Sequence, residues 1–274
     1  MFFQDFLNKY SKTLVMGILN ITPDSFYDGS KYQETDLLKN RFNKLNKLDI
    51  VDIGAESSRP GAHPISERDE LNRLSKIFDL LENNDKYYSI DTYKPNIARE
   101  CLKNGFNMIN DIKGGQNLEM LQLASEFSVP IVLMHMQGNP TNMQNSPKYD
   151  NIIDELVYFF EKRINKAAKE GINKKQIIID PGIGFGKTID QNDTIIRNLS
   201  RFKTFNVPIL IGASRKSFLT YNSNKPKDRL EASLAVSSIA INNGANIIRI
   251  HDIDKSMEVF SIVDRLLKKY LWIF

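Results

Sequence analysis

Residues 48–91 read LDIVDIGAESSRPGAHPISERDELNRLSKIFDLLENNDKYYSID, and this stretch contains one complete strand–helix–strand pattern. An apolar run carries Asp52 near its end, a polar loop and an amphipathic segment follow, and a second apolar run ends at Asp91. Ser66 opens the amphipathic segment with Asp69 three residues later, a plausible capping box at a helix start. The stretch therefore predicts a strand, a helix over residues 66–81 and a second strand.

The same unit recurs along the chain. Several of its apolar runs are nearly continuous in Ile, Val and Leu, which is typical of parallel strands covered on both faces. The runs are TLVMGILNI from Thr13, LDIVDIG from Leu48, YYSIDTY from Tyr87, FNMINDI from Phe106, PIVLMHM from Pro130, IIIDPGI from Ile177, PILIGAS from Pro208 and ANIIRIHDI from Ala245. The helical patterns cover residues 35–48, 66–81, 95–104, 118–127, 152–169, 193–202, 230–242 and 255–269.

This alternation predicts a barrel. Eight strand–helix units without a linker of domain-boundary composition indicate an α/β chain folded as a single (β/α)8 TIM barrel, one domain over residues 1–274. An open, doubly wound parallel sheet is the alternative architecture.

Composition narrows the function classes. The 274 residues include 37 basic and 33 acidic side chains, so the net charge of +4 gives no case for nucleic acid as a partner. The lone Cys101 forms no internal disulfide, which favours a reducing, cytoplasmic setting. Residues 1–10 contain Asp5 within their apolar run and predict neither a signal peptide nor a membrane span.

Every predicted strand ends in polar or charged groups. In a barrel of this type the chemistry collects at the carboxyl ends of the strands, where these groups would converge. Helix capping explains one such residue but hardly all eight ends. The groups are Asn20, Asp52, Asp91, Asn110, His135, Asp180, Ser214 with Lys216, and Arg249 with His251.

These side chains suit two kinds of ligand group. Asp180 and Asn110 can hydrogen-bond the edge of a flat heterocycle, or else cap helices. Cationic groups on the same face would bind phosphate, and a surface-loop arginine is the alternative for the first of them. The cationic candidates are Arg59, Arg249, His251 and Lys216.

Three loops are candidates for ligand contact. GIGFGK (residues 182–187) resembles a phosphate-cradling glycine loop but lacks the usual spacer, so it could equally be a turn that shapes a pocket. NITPDSFYDGS (residues 20–30) and ESSRPGAHPIS (residues 56–66) are long, polar loops of the kind that form lids. Phe26 would cover an aromatic substrate or anchor its loop on the rim.

The motifs resemble a known family. MGILNITPDSF (residues 16–26) and VDIGAESSRPGA (residues 51–62) are similar to the two signature segments of the dihydropteroate synthases. The similarity continues in order through SIDTYKP, INDIKGG, VLMHMQGNP, IIDPGIGFGKT, GASRKSF and RIHDI. It implies a (β/α)8 barrel, Mg²⁺ dependence, a homodimer, and small-molecule substrates, namely a pterin pyrophosphate and p-aminobenzoate, with no membrane partner.

The resemblance also implies roles for individual residues. The implied pterin pocket consists of Asp91, Asn110, Met134, Asp180, Gly184, Phe185 and Lys216. The implied pyrophosphate contacts are Asn20, which is also the magnesium ligand, with Asp52, Ser58, Arg59, Arg249 and His251. The implied p-aminobenzoate contacts are Phe26, Pro60, Lys216 and Ser217, and the implied catalytic residues are Asp91, Lys216, Arg59 and Asp28.

Two departures and two rival functions accompany this hypothesis. Ser58 stands where the family more often has Thr, and Ala55 replaces a usual Gly, which would strain the chain if φ were positive there. A folate-dependent methyltransferase barrel is one rival, but the SSRPG and ASRKS segments favour the synthase. A non-catalytic pterin-binding paralogue is the other, and it should have lost a charged residue at the mouth.

Overall fold

The computed structural model describes residues 2–10, 12–22, 31–59, 61–82, 86–220 and 225–267. Within them lie eight strands, all paired in parallel in the order β6-β5-β4-β3-β2-β1-β8-β7. The strands are β1 (Leu14–Asn20), β2 (Ile50–Gly54), β3 (Tyr87–Asp91), β4 (Met108–Asp111), β5 (Ile131–Met134), β6 (Ile177–Asp180), β7 (Leu210–Ile211) and β8 (Ile247–Ile250).

The two ends of this sheet meet. Ile179 of β6 forms a parallel bridge with Ile209, and its N–H donates to the carbonyl of Pro208 at 3.0 Å. This contact closes the sheet into a cylinder, so the predicted barrel is confirmed. The open, doubly wound alternative is wrong because it would leave β6 and β7 as separate edges.

Helix α1 precedes β1, and the other helices follow the strands on the outside of the cylinder. They are α1 (Phe3–Tyr10), α2 (Lys31–Leu45), α3 (Glu67–Leu74), α4 (Pro95–Lys103), α5 (Leu118–Glu126), α6 (Ile152–Lys169), α7 (Ile189–Arg197), α8 (Leu230–Asn243) and α9 (Ile253–Leu266). None of the helices in the described ranges is long and apolar enough to cross a membrane.

Several helix boundaries differ from the predictions; α2, for example, is Lys31–Leu45 where residues 35–48 were predicted. The helix predicted from residue 193 begins at Ile189, because Thr188 and Gln191 form a reciprocal capping box there. The predicted helix 66–81 ends at Leu74 and continues as 3-10 turns, while Ser66 caps its start as expected by accepting from the N–H of Asp69.

Helix α1, which the sequence patterns did not predict, plugs the bottom of the barrel. Its Phe3 and Phe6 are buried against a layer of inward-facing apolar side chains from the strands. The ring of Tyr87 packs edge-on against both phenylalanines. This layer consists of Leu14, Met16, Ile50, Met108, Val132, Ile178, Leu210 and Ile247.

A polar layer lies directly above the apolar one. Because alternate residues of a strand face the same side, the side chain two positions after each apolar one also points into the barrel. The step leads from Ile50 to Asp52, from Met108 to Asn110, from Ile178 to Asp180 and from Ile247 to Arg249. The predicted convergence of strand ends therefore follows from strand geometry.

Candidate active site

Arg249 joins two carboxylates at the centre of the mouth. Its Nε donates to Oδ2 of Asp52 at 2.6 Å, and its Nη2 donates to Oδ2 of Asp91 at 2.8 Å. The amide Nδ2 of Asn110 also donates to Oδ2 of Asp52, at 3.0 Å. Four predicted site residues from four strands thus form one hydrogen-bonded cluster.

This cluster is poor in positive charge. Asp52 is fully buried, and its second oxygen, Oδ1, has no hydrogen-bond partner among the described residues. Burial, and then the charge of Asp52, raise the pKa of Asp91 to about 7 despite the Arg249 contact. A single guanidinium faces two carboxylates, so the mouth favours a ligand that donates N–H groups or carries positive charge.

Asp180 and Lys216 form the second half of the polar layer. Oδ1 of Asp180 accepts from the N–H of Gly182 at 2.7 Å. The Lys216 ammonium donates to the carbonyl of Ile183 and lies 4.3 Å from the centre of the Phe185 ring. Burial lowers the pKa of Lys216 to about 7, against the attraction of Asp180. A charged ligand bound beside Lys216 would therefore change the protonation state of its ammonium group.

The glycine loop after β6 faces its carbonyl groups inward. Gly182, Gly184 and Gly186 all have positive φ, and a Cβ on Gly182 would lie 1.9 Å from the carbonyl oxygen of His135. The buried Lys187 ammonium donates to the carbonyls of Gly182 at 3.0 Å and Phe185 at 2.9 Å. The phosphate-cradle interpretation is therefore wrong, and the loop is a rigid turn that shapes the pocket.

An apolar cluster adjoins the polar layer, since Met134 of β5 pairs with Asp180 of β6. Met134 and Phe185, both predicted, pack with Ile112, Met136 and Met143 in a small cluster separate from the main core. Ile112 was not predicted as a site residue, and its place directly after β4 was the available signal. A flat ring could lie against this cluster with its edge towards the polar layer.

The remaining cationic candidates lie at the rim. His251 is exposed there, and its Nδ1 lies 3.1 Å from the hydroxyl oxygen of Ser214. Arg59 is exposed and forms no ion pair with any residue that the structure describes. Ser58 lines a small cavity together with Asp91. These groups remain available to an anion at the mouth.

The other predicted residues lie away from the polar cluster of the mouth or outside the described part of the chain. His135 lies outside the mouth, because it alternates with the inward Met134 and packs edge-on against Phe159 of α6. Ser217 is exposed at the start of a 3-10 turn. Ala55 is buried and is not among the positive-φ residues of the described chain, so the Ala at this position does not strain the backbone. The predicted residues Phe26, Asp28 and Pro60 lie outside the described residues.

The chain is similar in sequence to known pterin-binding proteins. A family described as pterin binding enzyme matches residues 16–251. The chain is 40% identical to the dihydropteroate synthase of Escherichia coli K12 over 257 residues, covering 92% of this chain and 91% of the relative.

Solved structures agree with the sequence match. The Yersinia pestis dihydropteroate synthase in a sulfonamide drug complex superposes with a TM-score of 0.87 at 38% identity, covering 94% of this chain and 96% of that one. The Xanthomonas albilineans dihydropteroate synthase with 4-aminobenzoic acid gives 0.86 at 34% identity, covering 93% of each chain.

Proposed function

The chain belongs to the pterin binding enzyme family as a dihydropteroate synthase of folate biosynthesis, and we propose that its mouth joins 6-hydroxymethyl-7,8-dihydropterin pyrophosphate to p-aminobenzoate by a dissociative displacement. The single observation that carries this proposal is that polar side chains able to hydrogen-bond the edge of a flat ring lie next to apolar side chains able to pack against its face. Asp180 and Asn110 are the polar side chains, and Met134 and Phe185 are the apolar ones.

The pterin ring matches these groups in hydrogen-bonding character. Its amino and ring N–H groups are donors, and carboxylates accept from them. Asp180 keeps one oxygen, Oδ2, free of protein hydrogen bonds among the described residues, since Gly182 uses Oδ1. Lys216 lies beside the glycine loop and can donate to a ring nitrogen or carbonyl. The pterin thus lies across the barrel mouth with its methylene towards Asp91 and Arg249.

The leaving group would lie at the rim of the mouth, where Arg59 is exposed, and above the Arg249 guanidinium. Arg249, the exposed Arg59 and the hydroxyl of Ser58 are the proposed pyrophosphate contacts, with His251 at the rim. Arginine binds phosphate oxygens in a bidentate manner, which fixes the direction in which the group departs.

The described part of the chain offers few ligands of its own for magnesium. Among the described residues no group of three His, Cys, Asp or Glu side chains could hold a metal ion, but the Asn20 carboxamide at the end of β1 has no hydrogen-bond partner there. One neutral oxygen fits Mg²⁺, which keeps several waters and is commonly held through substrate phosphates. We assign Asn20 as the protein ligand; bound Mg²⁺ would neutralise charge on the pyrophosphate.

The proposed reaction needs no strong base. The bond between the methylene carbon and the pyrophosphate oxygen breaks, and its electron pair leaves with the pyrophosphate. The resulting cation is delocalised into the pterin ring and faces the Asp91 carboxylate. The neutral arylamine of p-aminobenzoate, held near Lys216 and Ser217, then attacks through its lone pair to form the new C–N bond, and the proton of the resulting ammonium passes to solvent.

Two further proposals concern assembly and the rival functions. Family resemblance supports a homodimer in the cytoplasm acting on small molecules. A non-catalytic paralogue is disfavoured because Asp52, Asp91, Asp180, Lys216 and Arg249 are all present in the mouth. The methyl-transfer rival is disfavoured by Arg59, which is exposed, forms no ion pair with a described residue, and suits a pyrophosphate contact.

Replacing Asp180 by Ala tests the pterin pocket. The change leaves donors on the ring edge unpaired, so pterin affinity should fall by roughly 2–4 kcal/mol. Isothermal titration with the unphosphorylated pterin alcohol measures this loss, and Asp190→Ala, on the exposed first turn of α7, serves as the control. Wild-type affinity in the Asp180 variant would place the pterin elsewhere.

A further inference from the structure

A partly buried ion cluster closes the base of the loop that carries Ser58 and Arg59. The Lys94 ammonium donates to Oε2 of Glu56 at 2.6 Å and to Oε2 of Glu70 at 2.6 Å. It also donates to the carbonyl of Ile65 at 2.8 Å. Three acceptors satisfy all three N–H bonds of the ammonium, so its position is fully determined.

The acceptors come from both ends of the loop. Glu56 precedes the segment of residues 57–64 and Ile65 follows it, and the N–H of Ile65 donates to the same Oε2 of Glu56 at 2.9 Å. Arg73 of α3 holds the entry to the loop through the carbonyl of Ala55 at 2.8 Å. The loop neck is therefore closed by Lys94 and Glu56 together.

The cluster is also tied to the reacting end of β3. The hydroxyl of Thr92, the residue after Asp91, donates to Oε1 of Glu70 at 2.9 Å. Glu70 is only 1% exposed, so this contact is shielded from water. Glu56, Glu70, Ser58 and Asp91 line one small cavity, which places the cluster between the loop and the polar layer.

We propose that Lys94, with Glu56 and Glu70, is a positioning clamp that holds the described residues of the loop, 57–59 and 61–64, so that Ser58 and Arg59 meet the pyrophosphate of the substrate. This role rests on the proposed function. None of the three clamp residues belongs to the proposed substrate contacts. A buried ion pair adds little net stability over apolar packing, while it specifies one geometry.

The test uses the paired variant Lys94→Met with Glu70→Gln. Removing both the cation and the deeply buried anion leaves no unpaired charge at Glu70. Glu56 loses its cation, but it lies at the loop neck and still accepts from the N–H of Ile65, so the barrel should still fold. The matched control is Lys103→Met, which removes an exposed lysine paired with Glu100 on α4. Glu56→Gln is the second clamp variant and weakens the contact at the loop neck.

In steady-state kinetics, the clamp variants should raise KM for pterin pyrophosphate at least about tenfold and change kcat less than about threefold. Binding of the unphosphorylated pterin alcohol should stay within about twofold of wild type, since that ligand does not reach the loop. Equal losses for both ligands, or wild-type KM, would overturn the clamp.

Hydrogen exchange separates this inference from the proposed function. Backbone N–H groups of Gly61, Ala62 and Ile65 are hydrogen-bonded in the clamped loop and should exchange faster in the clamp variants but not in Lys103→Met. Unchanged exchange contradicts the clamp even if the wild-type protein proves inactive. An inactive wild-type protein with accelerated exchange in the variants contradicts only the proposed function.

Discussion

Asp91→Asn is expected to lower kcat by about 100-fold or more, a loss of roughly 3 kcal/mol of transition-state stabilisation, while pterin pyrophosphate affinity changes much less. The amide keeps the shape of the carboxylate and removes its charge. In the proposed mechanism that charge faces the cation which forms as pyrophosphate departs. Single-turnover kinetics with saturating p-aminobenzoate measure the chemical step directly, and an unchanged rate would remove Asp91 from the mechanism.

The pH dependence of kcat/KM provides an independent test of the role of the Asp91 charge. The pKa of Asp91 is raised to about 7, so in the free enzyme the carboxyl takes up a proton as pH falls below that value. We therefore expect kcat/KM for pterin pyrophosphate to fall about tenfold per pH unit below pH 7, and Asp91→Asn to lack this limb. Protonation of the substrate pyrophosphate affects the wild type and Asp91→Asn equally. The role of Asp91 is therefore read from the difference between their two pH profiles.

Arg249→Ala is expected to have the second-largest effect. Asp52 is fully buried, so loss of its partner should destabilise the fold by about 3–5 kcal/mol. Affinity for pterin pyrophosphate should fall about 100-fold, because a phosphate contact and the orientation of Asp91 are both lost. The pterin alcohol should lose about tenfold or less, since it lacks the phosphate contact.

A second substitution distinguishes the two roles of Arg249. Adding Asp52→Asn removes the unpaired buried charge, so denaturant unfolding should show most of the lost stability restored. Pyrophosphate affinity should stay low in this double variant. If Asp52→Asn restored both properties, Arg249 would serve only to neutralise Asp52. Arg99→Ala, which breaks an exposed pair with Glu126, controls for loss of an arginine.

The polar layer of the mouth could be predicted because it depends on strand periodicity. Asp52, Asn110, Asp180 and Arg249 each follow an inward apolar residue by two positions, and the sequence shows that spacing directly. Barrel closure also followed from the number of strand–helix units. Both features are consequences of local pattern, which a single sequence carries.

Contacts between segments that are distant in the chain could not be predicted from the sequence pattern. The ion pair of Arg249 with Asp52 joins residues 197 positions apart, and the Lys94 clamp joins three separate elements. Helix α1 was missed because its role depends on Phe3 and Phe6 fitting the open bottom of the barrel. The inward carbonyls of the glycine loop likewise depend on Lys187, whose burial only the fold determines.

The most direct test of the account is a coupled binding and turnover assay on the purified protein. Supplied with 6-hydroxymethyl-7,8-dihydropterin pyrophosphate, p-aminobenzoate and Mg²⁺, the enzyme should release 7,8-dihydropteroate and pyrophosphate in equal amounts, and chelation of the metal should abolish turnover. Asp91→Asn in the same assay should retain substrate binding with little product. Tight pterin binding by the wild-type chain without any dihydropteroate above background would contradict the account and leave the non-catalytic paralogue in its place.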